Sequence, residues 1–143
     1  DGFITISPTA GVAFTTPLAA RGAAVGDLNN DGQPDLVLGV LDDAPVILRN
    51  QGTKNHWIGF ALIGTKSNRM AIGARLTITD ATGHKRIFEV TTAGSYLSSS
   101  DPRVIVGLGA ATSIRAIEIR WPSKRTQIIE NLAVDRYLMI TEK

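Results

Sequence analysis

Apolar and polar residues alternate with a period of two, and the runs are broken every few positions by Gly, Asp, Asn or Pro. That pattern constrains the chain more than any other feature, because a strand sends successive side chains to opposite faces, whereas a helix repeats near 3.6. Residues 57–63 place Ile58, Phe60 and Leu62 on one face, and residues 74–79 place Ala74, Leu76 and Ile78 on one face. The turn at 80–83 ends in Gly83, so residues 85–91 are expected to return as a hairpin partner. Further strands are predicted at 104–108, 116–121, 126–130 and 137–141, about seven in all beyond residue 55. In residues 116–121, Ile117, Ile119 and Trp121 face one way and Glu118 and Arg120 the other, the signature of a sheet wet on one side only. Helical periodicity is almost absent; residues 131–135 read either as a short turn capped by Asn131 or as a loop. The fold class is all-β, with a β-sandwich as the favoured architecture.

At 143 residues the chain holds one ordinary domain or two small ones. Charge divides it. Residues 1–54 carry three basic against six acidic residues, a net of −3, while residues 55–143 carry twelve against seven, a net of +5. The polar stretch at 51–55 marks the boundary, giving domains 1–54 and 55–143. The absence of Cys excludes disulfides, thiolate nucleophiles and Cys-ligated metals. A formal charge of +2 gives no argument for nucleic acid, and no apolar run reaches the ~20 residues of a membrane-spanning helix, so neither nucleic acid binding nor membrane insertion is expected.

The strongest chemical signal lies at residues 27–35, Asp-Leu-Asn-Asn-Asp-Gly-Gln-Pro-Asp. Oxygen-bearing side chains occupy alternate positions before a sharp turn at Gly32. Such a loop suits a hard cation: Asp27, Asn29, Asp31 and Asp35 supply side-chain oxygens and Gln33 its carbonyl, the donors that Ca²⁺ takes. Three carboxylates brought together repel one another, which a divalent ion relieves. The twelfth position is Leu38 rather than Glu and the flanks read as strands, so the loop is not an EF-hand. An Asx-rich turn without metal is the plainer alternative.

Two family resemblances follow. Residues 25–37, Val-Gly-Asp-Leu-Asn-Asn-Asp-Gly-Gln-Pro-Asp-Leu-Val, resemble an FG-GAP or VCBS repeat, and the likeness spans about Phe3 to Asn50. It implies a β-propeller-type blade with Ca²⁺ held by Asp27, Asn29, Asp31, Gln33 and Asp35. A propeller has at least four blades, so the resemblance also implies upstream repeats or a second subunit as partners. From residue 55 to 142, His56-Trp57-Ile58-Gly59, the stretch 64–69, Ile72-Gly73-Ala74-Arg75, the stretch 94–98 and Arg120-Trp121-Pro122-Ser123 resemble an ASPIC/UnbV domain. That family usually follows FG-GAP-type repeats in secreted proteins, which implies an extracellular or periplasmic location, and it does not imply catalysis. Lys124 stands where the family often has Gly.

Other groups are further candidate sites. Lys66, Asn68, Arg69, Arg75 and Arg103 lie in or beside polar loops, a candidate surface for acidic glycans or protein carboxylates, against the plainer reading of solvated surface cations. Trp57, Tyr96 and Trp121 suggest a sugar-stacking platform or, more simply, core aromatics. No nucleotide-binding fingerprint occurs. The expected function is a non-catalytic calcium-binding module for adhesion, ligand binding or assembly, with an extracellular protein or glycan as partner. The alternative is a small hydrolase acting on glycans or esters through the 94–103 loop, with Ser95 or Asp101 in the site and His56 or His84 in reach.

Overall fold

The computed structural model describes residues 4, 5 and 9–143. The start of the blade resemblance at Phe3, and part of the 1–54 domain, fall outside that set. After a 3-10 turn at Val12–Phe14 the regular elements among the described residues are all strands: β1 (Ala20–Gly26), β2 (Asp35–Val40), β3 (Val46–Leu48), β4 (His56–Ile63), β5 (Arg75–Asp80), β6 (Lys85–Glu89), β7 (Val104–Gly109), β8 (Ser113–Arg120), β9 (Thr126–Ala133) and β10 (Arg136–Thr141). The described residues form three sheets, with orders β1-β2-β3, β10-β4-β7 and β6-β5-β8-β9, none of which closes into a barrel. Among the described residues no helix is long and apolar enough to cross a membrane.

The second and third sheets make a β-sandwich. Ile58 and Phe60 of β4, Val106 of β7, Leu76 and Ile78 of β5, and Ile114, Ile117 and Ile119 of β8 are essentially inaccessible, with Trp121 closing one end. The alternating residues of each strand supply the inward faces, as the period-two pattern requires. β10 is parallel to β4, Leu138 opposite Phe60 and Ile140 opposite Leu62, whereas the other pairings are antiparallel. The stretch beginning at Asn131 is not a helical turn: β9 continues through it, Leu132 opposite Ile114 and Ala133 opposite Ser113. Burial of Leu132 against the core overrides the capping preference of Asn131, which keeps a left-handed φ of 56° within the strand.

The first sheet is built differently. It adds no side chain to the hydrophobic core, which runs from Ile58 to Ile140. Its buried residues are Asp27, Gly32 and Asp35, while Val25 and Ile47 stay exposed. Polar contacts, rather than apolar burial, hold this small sheet to its neighbour.

Candidate functional site

The 27–35 loop joins antiparallel β1 and β2, whose register sets Gly26 opposite Asp35 and so brings the two ends of the acidic segment together. The carboxylates are met by the loop's own backbone. Asp27 accepts from Gly32 N–H at 2.7 Å and Asp31 N–H at 3.1 Å, and Asp35 accepts from Leu28 N–H at 3.0 Å and Asn50 N–H at 2.8 Å. Asp31 accepts from Gln33 N–H at 2.9 Å, and the Asn29 amide donates to its other oxygen at 2.7 Å. Asn29 Oδ1 and Asp27 Oδ1 both lie on Asp31 N–H, at 3.3 and 3.1 Å, so two of the expected donors share one amide. Arg49 approaches Asp31 at 3.7 Å from the solvent side.

The structure thus gathers Asp27, Asn29, Asp31 and Asp35 on one turn, with Gln33 joined to it through its backbone N–H. Among the described residues, however, no three His, Cys, Asp or Glu side chains form a group set to hold a metal ion. In donor chemistry the loop fits a hard divalent cation: three carboxylates, one amide oxygen and one carbonyl within nine residues. Each carboxylate oxygen of the set already accepts a hydrogen bond, from loop amides, the Asn29 side chain or the Tyr137 hydroxyl, and Arg49 stands 3.7 Å from Asp31.

Gly32 explains how the loop seats. Its φ of 81° is left-handed, and a Cβ there would lie 2.0 Å from the Trp57 ring, so the indole rests directly on the turn. Trp57 in turn meets Tyr137 edge-on, ring centroids 5.1 Å apart.

Tyr137 and Arg103, which the sequence placed in an unremarked strand and on a ligand surface, form the joint between loop and sandwich. The Tyr137 hydroxyl donates to Asp27 Oδ2 at 2.6 Å. Arg103 donates from Nε to Asp101 at 2.7 Å, from one terminal nitrogen to Asn30 Oδ1 at 2.5 Å and from the other to the Asp27 carbonyl at 2.8 Å, with its guanidinium carbon 4.5 Å from the Tyr137 ring centre. Burial raises the Asp27 carboxyl, but the Tyr137 hydroxyl and then the N–H groups of Gly32, Asp31 and Asn30 outweigh it and hold the group below the usual carboxylate range. Burial, followed by the bond to Asp27, drives the Tyr137 phenol well above its ordinary value. Asp101 raises Arg103 through their direct hydrogen bond, against the opposing effect of burial.

The serine-rich loop is part of the same joint. It runs along the outer edge of β1, where Ala23 N–H donates to Ser95 Oγ at 3.2 Å, Val25 N–H to Ser100 Oγ at 3.1 Å, and Asp101 N–H to the Val25 carbonyl at 2.9 Å. The serines cover an otherwise open sheet edge. His56 is paired with Asp135 at 2.7 Å and His84 lies 3.9 Å from Asp80, so neither attends Ser95. Among the described residues, no histidine or carboxylate lines the groove beside Tyr96, Leu97 and Ser98.

Of the five residues proposed as an anion surface, only Arg69 and Arg103 line a common cleft. Lys66 serves through its backbone, Asn68 clasps Ile72 through both of its amide atoms, and Arg103 belongs to the joint. Arg69 lines a small cleft beside Arg103, while Arg75 stands on the outer face of the four-stranded sheet. The supposed aromatic platform separates likewise: Trp121 is buried, Trp57 and Tyr137 pack on the loop, and Tyr96 stands under Arg21 with its guanidinium carbon 5.3 Å from the ring centre.

A second polar centre was not foreseen. Glu142, only 3% exposed, accepts at Oε2 from three successive backbone N–H groups, Thr65 at 2.9 Å, Lys66 at 2.8 Å and Ser67 at 2.7 Å. Its Oε1 accepts from the hydroxyls of Ser67 at 3.0 Å and Ser123 at 2.5 Å. Burial raises this carboxyl, but the Ser123 hydroxyl and the three amides prevail and bring it down to about 2. The Trp121-Pro122-Ser123 turn and the 64–68 turn are thereby tied to the last strand. Their serines were the available signal; their shared carboxylate, far off in sequence, was not. The same turn puts Lys124 at a φ of 71°, a conformation that favours Gly.

A family model described as ASPIC and UnbV matches residues 64–143. Those residues include the turns around Glu142, Arg103 and Tyr137. No match is found among curated proteins.

Proposed function

The chain belongs to the ASPIC and UnbV family, and from that premise we propose that it is a non-catalytic, extracellular or periplasmic calcium-binding module for adhesion, ligand binding or assembly. In this reading the first sheet is an FG-GAP/VCBS-type blade fused to the family's sandwich. The observation that carries it is the burial of the Asp27 and Asp35 carboxylates in a sheet with no apolar core of its own. Backbone amides and the Tyr137 hydroxyl pair these carboxylates, and a blade organised around such a loop, with no apolar packing of its own, would gain order from a bound hard cation.

Ca²⁺ would be held by Asp27, Asn29, Asp31 and Asp35 through side-chain oxygens and by the Gln33 carbonyl. When bound it would supply positive charge that offsets the mutual repulsion of three carboxylates. The protein's own groups do the remainder: Gly32 permits the turn, Trp57 backs it, and Tyr137 and Arg103 fix it to the sandwich. An extracellular protein or glycan suits such a scaffold as partner. Further repeats or a second subunit suit the exposed Val25 and Ile47 of the blade.

Calorimetric titration of metal-stripped protein tests the reading. Saturable Ca²⁺ binding at or below about millimolar concentration, with a higher melting temperature in Ca²⁺ than in EDTA, is the expected outcome. An absence of heat at millimolar Ca²⁺, with identical melting in EDTA, overturns it.

A further inference from the structure

Strand register on the outer face of the four-stranded sheet sets Arg75 directly opposite Arg120, with Glu89 on the far side of Arg75. Like charges facing one another across a ladder destabilise it, and among the described residues no carboxylate lies within ion-pair distance of either arginine. Beside them runs a groove of about 320 Å³ lined by Arg75, Glu89, Arg120, Trp121, Pro122 and Lys124. Three cations and one acid leave its wall net positive. Lys124 enters that wall from a left-handed backbone at φ 71°, a strained position for a residue with a side chain. Trp121 also lines the groove, and its indole N–H is buried without an acceptor. Two facing guanidinium groups outside any ion pair and a strained lysine thus coincide at one place.

We propose that this groove binds an anionic oxygen group, a carboxylate or sulfate ester, carried on an acidic polysaccharide. The guanidinium fork suits planar carboxylate and sulfate oxygens alike. A sugar backbone suits the sheet surface beside the groove, where two threonine hydroxyls and one carboxylate acceptor lie next to the exposed Ile87 and Ile128. Thr126 stands opposite Arg120, and the next row in the ladder sets Thr77 opposite Glu118. The large aromatic that would anchor a protein, Trp121, is itself buried. The proposal deepens the reading of the chain as a ligand-binding module by naming a ligand class, and it replaces the dispersed cations by Arg75, Arg120 and Lys124.

The test is calorimetric titration of the full chain, at physiological salt, with a heparin hexasaccharide, an oligogalacturonate and a poly-glutamate peptide. Binding of one or both saccharides and weaker binding of the peptide is expected, the two saccharides separating sulfate from carboxylate. Arg120→Gln and Lys124→Gly should each weaken the saccharide by about fivefold or more, whereas Arg136→Gln, a cation on another sheet, should not. Lys124→Gly also relieves the left-handed strain, so its melting temperature should hold or rise while affinity falls, a split that unfolding cannot produce. No saccharide binding, equal binding of the peptide, or equal loss in Arg136→Gln overturns the proposal. Running each titration in Ca²⁺ and in EDTA keeps it separate from the metal loop: Ca²⁺-dependent melting without saccharide binding removes the groove alone.

Discussion

The Tyr137 hydroxyl reaches 110 positions back along the chain to the buried Asp27 carboxylate and donates to it at 2.6 Å. One residue of the last strand thereby serves two structures at once, since its ring also backs Trp57 and lies under Arg103. Hydrogen bonds to charged acceptors are stronger than neutral ones, and leaving a buried carboxylate short of a donor costs more than the bond itself contributes.

Tyr137→Phe keeps the ring and deletes the donor. It should lower stability by about 1–3 kcal/mol, measured by urea unfolding, with little change in the fold by circular dichroism. A variant as stable as the parent would show that Asp27 is satisfied by Gly32 and Asp31 alone.

Arg103→Lys preserves the charge and removes the fork. An ammonium cannot serve Asp101, Asn30 and the Asp27 carbonyl together, so a loss of about 1–3 kcal/mol is expected. Combined with Tyr137→Phe, the losses should be non-additive by more than about 0.5 kcal/mol, because the two side chains touch. Strict additivity in the double-mutant cycle would argue against a single joint.

Glu142 sets an acid limit. Its folded value of about 2 lies below the ordinary 4.5, so its stabilisation is complete above about 4.5 and is lost as pH falls through about 2. Thermal melts across that window should therefore show a smaller acid-induced loss in Glu142→Gln than in the parent, although the variant melts lower at neutral pH. Parallel pH profiles for the two proteins would contradict this.

Arg49 competes with any cation for Asp31. The contact is long, at 3.7 Å, and Arg49 is largely exposed, so the pairing is weak, and Arg49→Gln should tighten Ca²⁺ by about two- to fivefold in calorimetric titration. Unchanged or weakened affinity would place Asp31 outside the cation's reach.

Gly32→Ala combines a left-handed backbone with a Cβ driven into the Trp57 ring. A loss of about 2–4 kcal/mol follows from strain and overpacking together, and Trp57 fluorescence should shift toward that of an exposed indole. Tolerance of alanine at this site would mean that the ring does not rest on the turn.

Strand pattern was legible because alternation is a local property. Ile58 with Phe60, Leu76 with Ile78, and Ile117 with Ile119 and Trp121 could all be placed inside from spacing alone, and all are buried. The acidic loop was legible for the same reason, its residues being consecutive. What escaped was everything joined across long separations. Nothing near Tyr137 announces Asp27, and nothing near Glu142 announces the amides of residues 65–67. Lys66, Arg69, Arg75 and Arg103 looked like neighbours because each sits beside a polar loop, but strand parity sends Arg75 outward while Arg103 turns toward the blade. Proximity in the sheet, not in the sequence, decides which cations share a field.

The parallel pairing of β10 with β4 has a consequence for biosynthesis. The first strand of the sandwich waits for its second partner some eighty positions downstream, and until residues 136–142 leave the ribosome there is neither a third strand for that sheet, nor a phenol for Asp27, nor a carboxylate for the 65–67 amides. A nascent chain stopped short of Arg136 would expose the edge of β4 to whatever strand it meets first.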